Sequence, residues 1–145
     1  MKPKNNLPLY TSTFVLLFLH FGGVIFHWYN TFYSFDKIVH VAGGFWIAQI
    51  ILLLSTKHQT VAFPKDKFMR ACILLISMAV LVGVFWEFFE VFVGKISILR
   101  YGTGIENHLA PTDTAFDLFF DFLGATLAAI IFLPKKNGST SSSGE

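Results

Sequence analysis

The fold of this chain is decided by one long apolar stretch, 69-MRACILLISMAVLVGVFWEFFEVF-92. A helix needs about 20 apolar residues to cross the ~30 Å hydrocarbon core of a bilayer. This stretch is long enough, and its only acidic residues, Glu87 and Glu90, lie near one end. It therefore predicts a transmembrane helix that carries two carboxylates inside the membrane.

Three further stretches have the same character, and together they predict an all-α, integral membrane four-helix bundle. The chain is 54% hydrophobic and 14% charged, whereas soluble domains carry about 25% charged residues. Gly94 is the expected C-cap of the third helix, and Pro134 closes the fourth. We predict a single domain over residues 1–136 and a disordered or cloning-derived tail over 137–145. The spans are expected at about residues 9–28, 38–54, 69–92 and 114–133.

Basic residues are distributed unevenly between the two ends of these spans. Of the 11 Lys and Arg residues, only Lys37, Lys95 and Arg100 fall on one side of a four-span chain. Such a bias marks the opposite side as cytoplasmic, so both termini are expected there, in a bacterial inner membrane. The first span follows Lys2 and Lys4 as a signal peptide would, but it lacks a small-residue cleavage site and should be retained.

Acidic residues and histidines gather at the other end, which is the outer end in this orientation. Seven acids and three bases leave this end with a net charge of −4 before histidines are counted. The acids are Asp36, Glu87, Glu90, Glu106, Asp113, Asp117 and Asp121, and four histidines join them: His20, His27, His40 and His108.

The spacing of these residues places them on shared helical faces. Residues three or four apart lie on the same side of a helix. The sets are Asp36 with His40, Glu87 with Glu90, and Asp113, Asp117 with Asp121. With ~1.5 Å of rise per residue, three groups lie about 10–12 Å below the outer helix ends. This predicts a funnel with a deep tier of His20, Glu87 and Asp121 under a shallower tier of His40, Glu90 and Asp117.

Such a cluster needs compensating charge. A charged side chain at mid-span costs about 2.5–3.5 kcal/mol, and neighbouring carboxylates repel each other. Bound protons or a cation would relieve both costs, and a divalent metal ion is the compact solution. Carboxylates mixed with imidazole suit Mn, Zn or Fe, and oxygen ligands suit Mg or Ca. The single cysteine, Cys72, excludes a thiolate cluster. The expected metal ligands are Asp36, Glu87, Glu90, Asp113, Asp117 and Asp121.

Ordinary structural explanations stand beside these functional ones. Asp36 and Asp113 lie in the first turns of their helices, where an acid favours the helix dipole. His27 and His108 fit ordinary interfacial or loop positions, and His20 fits a hydrogen-bonded core histidine. The other intramembrane carboxylates have weak structural explanations and indicate a functional site.

Three motifs in order resemble those of YjdF-type inner-membrane proteins. The segment Asp36-Lys-Ile-Val-His40, followed by Gly44-Phe45, is similar to their opening motif, and Glu87-Phe-Phe-Glu90 to their Glu-x-x-Glu. Asp113-x-x-x-Asp117 with Gly124-Ala125 is similar to their closing motif. VanZ-like proteins have a looser version, in which Asp121 occupies an Asn position and Arg100 is only an approximate counterpart of an Arg. The resemblance covers about residues 33–129.

This resemblance implies a reaction class. Both families have been grouped with eukaryotic-type phosphatidylserine synthases, which exchange phospholipid head groups with a His and a Glu-x-x-Glu. It implies an active site among His40, Glu87, Glu90, Asp113 and Asp117, and we expect four of them to be catalytic: His40, Glu87, Glu90 and Asp117. The third loop, expected from Lys95 to Pro111, could cover the head group. The expected substrate-binding residues are His20, Arg100 and His108.

Three functions therefore stand open. The first is a membrane enzyme, a transferase or hydrolase acting on phospholipid or polyprenyl-lipid head groups with a divalent metal ion. The second is a binding or transport protein for divalent cations or protons, although the inner halves of the spans offer few polar stations. The third is a non-catalytic module that binds lipid or protein, or forms a homo-oligomer. The sequence contains no Glu-x-x-His pair for a di-iron site and no signal for nucleic-acid binding.

Overall fold

The computed structural model describes residues 6–32, 34–58, 63–64, 68–101 and 111–133, with the backbone alone at 97–101. Four helices are long and apolar enough to cross a membrane, the third over Phe68–Ile96. Within the described ranges there is no strand, and the prediction of an all-α, four-span protein is confirmed. The helices are α1 (Leu7–Ile25), α2 (Trp28–Thr31), α3 (Phe35–His58), α4 (Phe68–Tyr101) and α5 (Pro111–Phe132).

Two helix starts carry a local signal, whereas one helix end predicted from the sequence is not observed. Asp36 and Asp113 lie in the first turns of α3 and α5, where they favour the helix dipole. The predicted stop at Gly94 is wrong, because α4 continues through it to Tyr101. A glycine inside a helix costs only about 1 kcal/mol relative to alanine, which neighbouring helix formers can offset. Lys95, predicted in a loop, is therefore helical and exposed.

A tight turn separates α1 from α3 and folds aromatic rings back onto α1. His27 adopts the left-handed conformation with φ 56°, which reverses the chain into α2. Trp28 then covers Gly22, and Tyr29 and Phe35 cover Gly23. Helix α1 continues through both glycines, which leave space for the rings.

The bundle is built on the parallel pair α3 and α5, which is its most extensive helix contact. A Cβ atom on Gly44 would lie 2.8 Å from the Cα of Asp121, and one on Gly124 would lie 2.8 Å from the backbone nitrogen of Phe45. Small residues let helices approach this closely in a membrane. Below these glycines the pair continues into a buried apolar core that also includes α4, with Ala48, Leu75, Ala79, Ala125, Ala128 and Ala129.

Helix α1 attaches to α3 through side-chain hydrogen bonds as well as apolar contacts. Trp46 Nε1 donates to Thr13 Oγ1 at 2.7 Å, and Gln49 Nε2 donates to Ser12 Oγ at 2.9 Å. Helix α4 packs against α3 and α5 instead, and the described parts of α1 and α4 do not form a helix contact. The outer surface is apolar, with Phe14 71% and Phe88 68% exposed, as lipid contact requires.

Candidate functional site

The centre of the candidate site is His40, which is surrounded by carboxylates from three helices. Its Nε2 lies 3.9 Å from Asp36 Oδ1, 3.8 Å from Glu87 Oε1 and 4.0 Å from Asp117 Oδ1. Its Nδ1 lies 3.4 Å from Asp121 Oδ1. Both ring nitrogens therefore face carboxylate oxygens. We define these five residues, Asp36, His40, Glu87, Asp117 and Asp121, as the His40 cluster.

The tertiary structure brings the cluster together at one end of the bundle. Asp36 and His40 are one turn apart near the start of α3, and Asp117 and Asp121 are one turn apart near the start of α5. Because α3 and α5 run parallel, both pairs lie at the same end. Helix α4 runs the opposite way and presents Glu87 from its second half.

The cluster is buried, and it is not electrostatically balanced by its own residues. His40, Glu87, Asp117 and Asp121 are each at most 6% exposed. Glu87 Oε1 and Asp117 Oδ1 are buried without a hydrogen-bond partner. Four carboxylates face one imidazole, which can supply at most one positive charge. Buried charges of this kind are normally paired or coordinate a metal, so the site favours an additional cation or bound protons.

Two overlapping sets of side chains could hold a metal ion. They are Asp36, His40 and Asp117, and His40, Glu87 and Glu90, with ligand atoms within 4.8 Å of one another in each set. Two atoms bound to one Zn²⁺ at about 2.0–2.2 Å can be separated by up to about 4.4 Å. For Ca²⁺ at about 2.3–2.6 Å the limit is about 5.2 Å. Separations within 4.8 Å are thus compatible with either ion, with small side-chain shifts where a pair exceeds the limit for that ion.

The predicted site residues do not form the two separate tiers that helical depth suggested. His40 contacts Glu87 and Asp121 as well as Asp117, so a single cluster replaces separate deep and shallow layers. The converging ligand sets of the described residues do not include Asp113, which lies half-buried one turn before Asp117. The side chain of Arg100 and the whole of His108 lie outside the described residues.

His20 lies beside the cluster rather than in it. Its Nδ1 is 3.1 Å from the Tyr29 hydroxyl, and both residues line a cavity that also reaches Asp36, His40 and Glu90. His20 is thus hydrogen-bonded, as its structural explanation proposed, and it also faces the candidate site. Tyr29 was not among the candidate site residues expected from the sequence. Only the reversal at His27 returns Tyr29 to His20, and no helical spacing could have indicated this contact.

Burial and neighbouring carboxylates alter the acidity of Tyr29, which lies between the first two spans. Burial, with smaller contributions from Asp36 and Glu90, raises its pKa from 10.0 to about 12. The folded protein therefore holds the phenol proton more tightly than the unfolded chain does. The stability that this proton contributes is complete below pH 10 and is lost as the pH rises through 12.

Alkaline titration of tyrosinate absorbance in detergent checks this prediction. Tyr29→Phe should remove the component that titrates near pH 12. The substitution should also lower the free energy of unfolding by about 1 kcal/mol, because the hydrogen bond to His20 is lost. Tyr10→Phe, at an exposed position, is the matched control and should leave the component near pH 12 in place. Persistence of the component near pH 12 in Tyr29→Phe would contradict the burial argument.

Comparison with known proteins agrees with this picture of the fold. The sequence profile of the family described as "Predicted membrane protein (DUF2238)" matches residues 4–137, which is nearly the whole chain. The chain belongs to the DUF2238 family. The spans of this DUF2238 protein and its His40 cluster all fall inside the matched region.

A relative of the DUF2238 protein is found in Thermotoga maritima. That uncharacterized protein is 32% identical over 125 residues, which cover 84% of this chain and 60% of the relative. The chain thus spans about three-fifths of the length of this relative. No solved structure matches the DUF2238 protein.

Proposed function

We propose that this DUF2238 protein binds a divalent metal ion at the His40 cluster and catalyses phosphoester transfer or hydrolysis on lipid head groups. One observation carries the proposal: a buried histidine has both ring nitrogens directed at carboxylates, two of which have unpartnered buried oxygens. An intramembrane group of this kind is costly to bury. Its placement at one end of the spans favours a substrate at head-group depth.

The two nitrogens of His40 suit different tasks in this proposal. A proton on Nδ1 can be donated toward Asp121, which leaves the lone pair of Nε2 directed between Asp36, Glu87 and Asp117. Carboxylate–histidine–metal arrangements of this type fix the tautomer and orientation of a ligating imidazole. We therefore assign His40 as a metal ligand and Asp121 as its positioning residue, which revises the catalytic role expected from sequence.

Glu90 is the carboxylate best placed for proton transfer. It is half-buried, belongs to the second ligand set and lines the cavity beside the cluster. In the proposed step, the oxygen of water or an alcohol attacks phosphorus and the bond between phosphorus and the leaving oxygen breaks. Glu90 accepts the proton of the attacking hydroxyl and returns it to the leaving alkoxide. A bound metal ion would supply electrostatic stabilisation of the phosphate charge.

The alternative of ion transport has less support from the far half of the bundle. Beyond the cluster, α3, α4 and α5 close around an apolar core of alanines and Leu75. The buried polar residue Gln49 in that half donates to Ser12. A conduction path needs polar stations along its length. The closed far half favours a site that opens at one end of the protein.

The resemblance to YjdF-type and VanZ-like proteins supports the same reaction class, and the charge bias supports a location. We propose that the protein lies in the bacterial inner membrane with both termini in the cytoplasm and the His40 cluster facing outward. A reporter enzyme that is active only in the cytoplasm, fused after residue 145, should be active. Activity of a reporter that works only in the periplasm, fused at the same position, would show that the protein has the opposite orientation.

The function is tested with purified protein in mixed phospholipid micelles. We expect a new lipid or a released head group, detected by mass spectrometry, with one of Mg²⁺, Ca²⁺, Mn²⁺ or Zn²⁺ and not with a chelator. Glu87→Gln should abolish turnover, and the exposed His58→Ala should not. Metal-dependent thermal stabilisation without turnover in any mixture would contradict the enzymatic proposal and favour cation binding.

A further inference from the structure

An apolar cavity of about 300 Å³ adjoins the His40 cluster. Its polar lining is confined to a few residues, among them His20, Tyr29, His40 and Glu90. Most of the wall is aliphatic or aromatic, including Leu16, Val39, Trp46, Ile47, Ala79 and Val82. The cavity therefore combines a polar region, at the candidate site, with a hydrophobic remainder.

The two regions are separated along the membrane normal. On α3 the lining runs from Asp36 to Ile47, and on α4 it runs from Glu90 to Ala79. At ~1.5 Å per residue, eleven residues of helix correspond to about 16 Å. One leaflet of a ~30 Å hydrocarbon core is about as deep. The cavity thus begins at the acidic end and extends over roughly one leaflet.

The cavity also has a side that no helix contact closes. Its walls come from α1 through Leu16, Leu17 and His20, and from α4 through Val82 and Trp86. The described parts of these two helices do not form a helix contact with each other. Val82 is 40% and Trp86 44% exposed, on a surface that faces lipid in a membrane. A hydrocarbon chain in the bilayer can therefore reach the cavity from the side.

We infer that this cavity holds one hydrocarbon chain of the lipid whose head group binds at the His40 cluster, and that the chain enters between α1 and α4. The inference rests on the proposed function for the identity of the head-group site. Water is a poor occupant of the apolar part, because a buried water needs two to four polar partners. The volume is at the lower limit of ligand pockets, about 300–1,000 Å³, and suits a single chain.

A binding measurement that involves no turnover tests the inference. The probe is a phosphatidylglycerol brominated in the middle of one acyl chain, because bromine quenches tryptophan fluorescence at contact. A variant that retains only Trp46 (Trp28→Phe with Trp86→Phe) should be quenched saturably by the probe in detergent. The matched variant that retains only Trp28, outside the cavity lining, should keep most of its fluorescence. Equal quenching of the two would overturn the inference.

Filling the cavity provides an independent test. Leu16→Trp and Val82→Trp occupy the chain's space, so each should weaken lipid retention in native mass spectrometry by at least about tenfold. Phe18 on α1 and Leu81 on α4 are 56% and 55% exposed and face lipid. The control variants Phe18→Trp and Leu81→Trp should therefore retain lipid as the wild type does. Circular dichroism verifies that each variant is folded. Wild-type retention in both filled variants would overturn the inference.

The outcomes separate this inference from the proposed function. Selective Trp46 quenching without any turnover would support the chain site and contradict the enzyme. Turnover in a protein whose Trp46 and Trp28 are quenched equally would support the enzyme and overturn the chain site.

Discussion

Replacing His40 with alanine is expected to weaken divalent-cation binding at the proposed metal site by at least about 100-fold and, with it, the proposed turnover of lipid head groups. His40 is the one residue common to both converging ligand sets, and its ring contacts four carboxylates. Loss of a partner that orients a ligand typically costs 10–100-fold in metal affinity or activity. Loss of the ligand itself should cost at least about 100-fold by the same scale. The cluster would also lose the imidazole that its carboxylates face.

Isothermal titration with each metal ion and a thermal-shift series measure the effect. His58→Ala is the matched control, because His58 lies exposed at the far end of the same helix. Asp121→Asn is the second variant, since it removes the carboxylate facing Nδ1 and leaves Nε2 in place. It should reduce affinity by about 10–100-fold without abolishing it. Unchanged metal-dependent stabilisation in His40→Ala would refute the metal site.

Replacing Gly44 with alanine should destabilise the bundle more than any other single methyl addition on the described part of α3. The added Cβ would lie 2.8 Å from both the carbonyl carbon and the Cα of Asp121, and closer still to the carbonyl oxygen. These are backbone atoms of a packed helix, which cannot rotate away as a side chain can. Overpacking typically lowers the free energy of unfolding by about 1–3 kcal/mol and occasionally by more. For Gly44→Ala we expect a decrease of about 3 kcal/mol or failure to fold.

Gly43→Ala is the matched control for this prediction. Among the described residues, its Cβ would meet only Asp121 Oδ1, at 3.8 Å, an ordinary van der Waals distance. The same alanine, one residue away on the same helix, should therefore change stability little or raise it slightly through helix propensity. Unfolding in increasing SDS, followed by circular dichroism, compares the two variants. Equal stability of Gly44→Ala and Gly43→Ala would show that α3 and α5 do not pack as described.

The Gly44 contact also fixes the position of Asp121 relative to His40. Asp121 is a residue of the His40 cluster, and its backbone is the part of α5 that approaches α3 most closely at Gly44. A wider separation of α3 and α5 would move Asp117 and Asp121 away from His40. The glycine that lets α3 and α5 pack closely therefore also sets the geometry of the candidate site.

The sequence by itself determined the class of the fold and the membership of most of the cluster. Apolar runs of about 20 residues can satisfy their backbone groups in lipid only as helices, so the four spans follow from composition and length. Carboxylates inside such runs are expected to face the bundle interior, because exposing them to lipid is costly. Their helical spacing predicted shared faces for Asp36 with His40 and for Asp117 with Asp121.

Only the tertiary structure decided which side chains contact His40 and that a cavity adjoins the cluster. Periodicity relates residues within one helix, whereas the contacts of His40 with Glu87, Asp117 and Asp121 depend on how three helices are rotated and separated. The return of Tyr29 to His20 depends on one left-handed residue, His27. The cavity depends on a gap between α1 and α4. Each of these is set by side-chain packing between distant segments, which local sequence patterns do not encode.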